Sequence, residues 1–203
     1  MTIIGFVRHG VTDWNQKRII QGHRDVSLNE KGRIQAAALG ERLVGEEWDV
    51  IISSDLARAK ETAAIIAERL SLKVSSYDER LRERFLGELE GLTHQDRVDK
   101  YGEDWEAIDL KELNIEEDEQ LRSRGFSLIE DVQKKYTNKR VLIVSHGGLI
   151  NQVLRELIGD FDNKIENTSI SVFQKDQDEW KFDVINCTKH LKDTHKSNVK
   201  LRS

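Results

Sequence analysis

Two short runs, Ile3-Ile4-Gly5-Phe6-Val7 and Val141-Leu142-Ile143-Val144, contain no polar residue at any position. A strand shows successive side chains to opposite sides of its sheet, so such a run must be covered on both faces. Strands with that demand belong to mostly parallel sheets sandwiched between helices. The rest of the chain supplies the covers. Residues 29–44, 55–70 and 148–158 carry apolar residues at helical spacing, and further strand runs lie at 49–53, 169–174 and 180–185. Ser54 or Asp55 is the expected N-cap of the second helix, and Gly159 the glycine closing the third. The last two strands read as a hairpin. The expected fold class is therefore α/β, a mostly parallel sheet with helices on both faces.

The 203 residues suit one domain, and a chain of that length buries roughly 70% of its unfolded surface. Residues 86–136 lack strand signals and read as a helical excursion containing a helix at 120–136, within a single domain over 1–191. Residues 192–203 read as a polar, mobile tail. The net charge of −5 argues against a nucleic-acid partner, since backbone phosphates call for a basic field. The charge is uneven, with nine acids and one lysine in residues 103–119. No apolar run approaches the roughly 18 residues of a membrane span. A lone cysteine, Cys187, removes an internal disulfide framework, and a cytoplasmic location is expected. A homo-oligomer is compatible with all of this.

Both apolar runs end alike. The first leads into Arg8-His9-Gly10, the second into Ser145-His146-Gly147-Gly148. In parallel α/β sheets ligands bind at the carboxyl ends of strands, so both imidazoles belong where a ligand is expected. One histidine at a strand end is more often structural; two at equivalent places point to a shared site. Arg58 falls in the first turn of the helix after strand 49–53, the wrong end for a cation against the helix dipole. Alone it reads as a surface arginine. With Arg8 it suggests an anion pocket.

Arg8-His9-Gly10 followed by Thr12-Asp13-Trp14-Asn15 and Gln21-Gly22 resembles the opening motif of the histidine phosphatase superfamily, which includes phosphoglycerate mutases. Ser53 to Ala63 is similar to its second motif, Leu81-Arg82-Glu83 with Gly87 and Glu90-Gly91 to its third, and Ser145-His146-Gly147-Gly148 to its fourth. The resemblance runs from residue 3 to about residue 190 in family order, which implies a phosphoglycerate mutase-like fold with the excursion overhanging the strand ends. It also implies roles: His9 as the phosphoryl-accepting nucleophile, Arg8, Arg58 and His146 around the phosphoryl oxygens, Glu83 as proton donor. Asn15, Gln21, Gly22 and Gly147 would add contacts to the phosphate or substrate. Composition alone would not separate Glu83 from Glu79, Glu88 or Glu90. Val11 stands where the family often has an acid, and Val26-Ser27-Leu28 where it usually has proline.

Elementary chemistry is consistent with these roles. A phosphomonoester is a dianion, and two guanidiniums and a histidine oppose its charge without metal or other cofactor. A histidine nucleophile needs one neutral nitrogen, with the other held by an acceptor that the sequence leaves unnamed. Rival chemistries find no support: six residues after Cys187 stands Asp193 where cysteine phosphatases need arginine, and no His-Glu-x-x-His or Gly-x4-Gly-Lys-Ser/Thr occurs. The expected substrates are small phosphomonoesters. The resemblance implies the broad-specificity phosphatase branch, because only 62 residues separate Glu83 from His146. A phosphoglycerate mutase is the first alternative, and a phosphoryl-binding protein without turnover the second.

Overall fold

The first apolar run becomes strand β1 (Ile3–Arg8) and the second β4 (Arg140–Ser145). In the computed structural model, which describes residues 1–159, 161, 163–177 and 179–192, they are joined by β2 (Val50–Ser53), β3 (Val74–Tyr77), β5 (Ile170–Asp176) and β6 (Glu179–Cys187). The sheet order is β3-β2-β4-β1-β5-β6. All pairings from β3 to β1 are parallel, and β5 runs antiparallel to both β1 and β6. The expected mostly parallel sheet and terminal hairpin are present.

The helices are α1 (Asp13–Lys17), α2 (Glu30–Leu43), α3 (Ala57–Arg69), α4 (His94–Tyr101), α5 (Asp118–Lys135) and α6 (Gly147–Ile158), of which α2 and α3 cover one face of the sheet and α5 and α6 the other. The apolar runs split between two cores by alternation. Ile4, Phe6, Val141 and Ile143 pack with Leu128 and Val132 of α5 and Leu149 and Val153 of α6. Val7, Leu142 and Val144 pack with Leu39 and Leu43 of α2 and Ala63 and Ile66 of α3. Each fully buried Leu or Ile contributes about 1.5–3 kcal/mol of transfer free energy, so both faces reinforce one register. Among the described residues no helix is long and apolar enough to cross a membrane.

Three sequence expectations change. The excursion over 86–136 divides, because α5 presents Leu121, Leu128, Ile129 and Val132 to the sheet and belongs to the main helical layer. Its remainder builds a separate small core from Leu89, Leu113 and Ile115. Helix α3 begins at Ala57, not at Ser54 or Asp55. Asp55 is drawn away by Arg82, at 2.5 and 2.9 Å, and the Ala57 amide instead donates to Asp25 at 2.6 Å. The edge strand β3 has no counterpart among the expected strands. The tail expected at 192–203 lies, from residue 193, outside the described residues.

Behind β1 the chain makes one close backbone contact that bears on the site. A Cβ added at Gly32 in α2 would sit 2.1 Å from the Val11 carbonyl oxygen, and one at Gly10 would sit 2.6 Å from the Gly32 oxygen. Replacing a helical glycine by alanine ordinarily stabilises by roughly 0.5–1 kcal/mol. Here the sign should reverse. Gly32→Ala is expected to destabilise by about 1–3 kcal/mol, the usual range for forced overpacking. Chemical denaturation checks it, and an unchanged or raised midpoint would disprove the close approach.

Candidate active site

The parallel pairing of β1 with β4 puts Arg8 opposite Ser145, and one step on the His9 amide donates to the Ser145 carbonyl at 3.0 Å. His9 and His146 therefore leave neighbouring strands at the same level. Their ring centroids are 5.1 Å apart with planes tilted by 54°, and both side chains are buried. The two strand-end histidines do converge.

Each ring is oriented by a specific partner. His9 Nδ1 lies 2.7 Å from the Gly10 carbonyl oxygen, which can only accept, so Nδ1 carries the proton and Nε2 keeps a lone pair. This supplies the acceptor that the sequence left unnamed. His146 Nε2 lies 2.9 Å from Ser54 Oγ, while its buried Nδ1 has no protein partner. Burial pushes both imidazoles well below the ordinary histidine value, and Arg58 and Arg8 push in the same direction. Both rings are neutral at pH 7.

The arginines are held by carbonyls. Arg58 is wholly buried and donates to the Gly22 and Arg24 carbonyl oxygens at 2.7 and 2.8 Å. Arg8 donates to the Ile165 carbonyl at 2.5 Å. Among the described residues neither forms an ion pair with a carboxylate, and the Nε of each is buried without a partner. Burial lowers the Arg58 pKa to about 10 and lowers that of Arg8, yet both remain charged at neutral pH. A buried, uncompensated cation is costly unless an anion arrives. Two such cations beside two neutral imidazoles make a receptor for an anion, with a lone pair available to attack it.

Glu83 stands at the start of α6, and its charge is felt at both Arg8 and Arg58. Its Oε1 accepts from the Gly148 amide at 3.0 Å and the Arg84 amide at 2.9 Å, which leaves it half-buried at the start of α6. The paired glycines make room. A Cβ on Gly148 would lie 2.3 Å from Glu83 Oε1, and one on Gly147 would lie 3.2 Å from Arg8 Nε. Gly22 sits at φ +49 with its carbonyl on Arg58, so it shapes the pocket through its backbone. Asn15 is the N3 residue of the α1 capping box and has its Oδ1 engaged by Thr12, which leaves its Nδ2 as donor. Gln21 is buried with Oε1 accepting from the Thr12 hydroxyl at 2.9 Å.

Sequence reasoning missed the supports. Thr62 Oγ1 accepts from the Gly10 amide at 3.0 Å, and Asn167 Nδ2 donates to the His9 carbonyl at 3.0 Å. Glu90, weighed only as a substitute for Glu83, accepts from the His23 amide at 2.7 Å and braces the turn at Gly22. Ser54 and Thr62 lie within the second motif, where Ser54 reads only as a helix cap and nothing in the spacing marks Thr62. Among the described residues no group of three His, Cys, Asp or Glu side chains could hold a metal ion.

The depressed histidines set a pH dependence. His190, buried and within 3.0 Å of the Thr168 hydroxyl, is lowered to about 4, chiefly by burial. Folded His9, His146 and His190 refuse protons that the unfolded chain accepts near pH 6.5, so stability is full above 6.5 and falls below it. Urea midpoints at pH 7.5 and 5.5 check this, a window above most carboxylate titration. His190→Gln is expected to shrink the loss, and equal losses in both proteins would contradict the assignment.

Comparison with known proteins gives the same grouping. The sequence profile of the Histidine phosphatase superfamily (branch 1) matches residues 4–188. An uncharacterized phosphatase, PhoE, of Bacillus subtilis (strain 168) is 35% identical over 94% of this chain and 97% of its own length. A metal-independent phosphoserine phosphatase of Arabidopsis thaliana is also 35% identical, over 94% of this chain and 84% of its own length. The solved structure of a mycobacterial glucosyl-3-phosphoglycerate phosphatase in complex with VO3 superimposes with a TM-score of 0.82 at 30% identity, covering 91% of this chain and 98% of that one. Matched over nearly its whole length, with the phosphoglycerate mutase-like sheet and both strand-end histidines in place, this chain belongs to the histidine phosphatase superfamily.

Proposed function

We propose that the protein is a metal-independent phosphomonoesterase that hydrolyses small phosphorylated metabolites through a phosphohistidine at His9. The observation that carries this reading is the pair of guanidiniums, buried Arg58 and half-buried Arg8, without an ion-paired carboxylate beside a His9 whose Nε2 lone pair is kept available. His9 Nε2 attacks phosphorus as the ester P–O bond breaks. Arg8, Arg58 and His146 balance the charge on the phosphoryl oxygens. When Ser54 donates to His146 Nε2, the proton of that ring sits on Nδ1, the atom left without a protein partner. The departing alkoxide takes the carboxyl proton of Glu83. Water then gives a proton back to the Glu83 carboxylate and attacks phosphorus, the P–N bond breaks, and neutral His9 and inorganic phosphate result.

Hydrolysis is favoured over mutase chemistry by the state of the cations that residues 84–124 carry. A mutase must hold a second anionic group of its substrate. Here Arg84 pairs with Asp118, Lys100 with Glu88, Lys111 with Glu117 and Arg124 with Glu116. Arg97 lies over the Trp105 ring and donates to the Thr93 carbonyl. Five acids of the 103–119 stretch, Glu103, Asp104, Glu106, Asp109 and Glu112, make no ion pair among the described residues. The balance disfavours a second phosphate or carboxylate on the substrate.

Rapid-quench labelling tests the mechanism. Wild type should carry acid-labile phosphate and His9→Ala none, and acid-stable label on another residue would refute the phosphohistidine. Glu83→Gln should slow an alkyl phosphate by about 10²–10⁴-fold, the usual contribution of general acid catalysis, and p-nitrophenyl phosphate far less. Chelator should leave the rate unchanged; a loss restored by one divalent metal would overturn the reading.

Selectivity has its own test. kcat/KM for an aryl monophosphate should exceed that for 3-phosphoglycerate, by a ratio that shrinks as salt screens charges beyond about 8–10 Å. Faster turnover of 3-phosphoglycerate, by transfer in the presence of 2,3-bisphosphoglycerate, would establish the mutase instead.

A further inference from the structure

Between the 3-10 turn at Glu79–Leu81 and Phe85 the chain is neither helix nor strand, so its carbonyls must find partners elsewhere. One side chain takes most of them. Arg124 of α5 donates from Nη1 to the Arg80 and Arg82 carbonyls at 2.7 and 2.6 Å, and from Nη2 to the Glu83 carbonyl at 2.9 Å. The Leu81 carbonyl accepts from Ser145 Oγ at 2.8 Å. Glu116 grips Arg124 in a two-pronged pair at 2.7 and 2.9 Å, and both side chains are more than four-fifths buried. The same carboxylate accepts from the Phe85 amide at 3.1 Å, and the Glu116 amide donates to the Phe85 carbonyl at 2.9 Å. The loop is thus fastened on both sides of Glu83. A second donor, His23 Nε2, reaches the Glu83 carbonyl at 2.7 Å, with its ring against Phe85.

We propose that Arg124, locked by Glu116 and seconded by His23, is a positioning residue that sets where the Glu83 carboxyl stands over the start of α6. This rests on the reading of Glu83 as the proton donor. Arg124 hydrogen-bonds neither the carboxyl nor His9, His146, Arg8 or Arg58; it acts on the backbone from which the carboxyl hangs, and its charge is also felt at His146. A displacement of about 1 Å in a reacting group costs as much as 10²-fold in rate, so a clamp on three carbonyls has direct leverage. The fork matters as well as the charge, since a lysine ammonium cannot bridge three carbonyls and a carboxylate in one plane. The arrangement gives a purpose to one acid of the 103–119 stretch. Glu116 holds Arg124 in place and is not part of a repulsive rim.

The test compares an alkyl phosphate with p-nitrophenyl phosphate in Glu83→Gln, Arg124→Gln, Arg124→Lys, His23→Phe and the double variant Glu83→Gln/Arg124→Gln. Arg124→Gln is expected to lower kcat for the alkyl phosphate about 10–100-fold and that for p-nitrophenyl phosphate far less, with the inhibition constant of inorganic phosphate unchanged. Lysine should restore part of the rate. The double variant should be no slower than Glu83→Gln alone, because the clamp works only through that carboxyl. His23→Phe keeps the ring packing and removes one donor, so it should show a smaller loss with the same leaving-group dependence. It serves as the deciding variant if Arg124→Gln fails to fold. Equal slowing of both substrates, additive losses in the double variant, or weaker phosphate inhibition would overturn the inference. Failure of the underlying reading looks different: Glu83→Gln itself would then not discriminate between the two substrates.

Discussion

The register between β1 and β4 is the constraint on which the site depends. Arg8 lies opposite Ser145, and the following residues are His9 and His146. A slip of one residue in either strand would carry its side chains into the core on the opposite face, which is packed for others, and would separate the two imidazoles. Burial on both faces of the two strands therefore defends the histidine pair more firmly than any contact within the site. The catalytic geometry is a by-product of the core.

Against that rigid base the protein holds two charges that it does not neutralise. Moving a guanidinium out of water is expensive, and Arg8 and Arg58 donate to carbonyls while the carboxylates whose charge they feel, Glu83 among them, form no ion pair with them. The carbonyls come from irregular backbone, the turn at Gly22 and the segment at Ile165, where no helix or sheet claims them. Glu90 holds the first turn through the His23 and Leu86 amides and forms no ion pair with Arg58, although its charge is felt there. An added carboxylate contact would stabilise the fold and weaken anion binding. Keeping His9 neutral follows from the same field, since burial and both arginines disfavour a third cation.

Around this centre the segment 80–85, the end of a 3-10 turn and the irregular backbone after it, is made rigid by side chains. Ser145 ties it to β4, Arg124 to α5 and Glu116 to the small core of Leu89, Leu113 and Ile115. Three parts of the fold therefore meet at the loop that carries Glu83. Such a loop can be aimed without being regular, and its cost falls on a buried ion pair that packs well only when both members are present.

The sequence by itself determined the sheet and its helical covers, the two strand-end histidines and the order of the family motifs. Each of these is encoded within a few residues, as an alternation, a helical stripe or a short motif. Elements without a buried stripe were not legible: α1 and α4 bury no residue, and the edge strand β3 has three exposed positions out of four. The N-cap was misread for a related reason, since Ser54 and Asp55 have the right chemistry for a cap but are claimed by His146 and Arg82. Only the tertiary structure decided which acceptor fixes His9, which carbonyls hold Arg58, and that Arg124 is bound to carbonyls 41–44 residues earlier in the chain. Those are pairings of polar groups left over when the regular elements have satisfied their own. Which leftovers meet depends on how helices and loops pack, and that is not written in any local spacing.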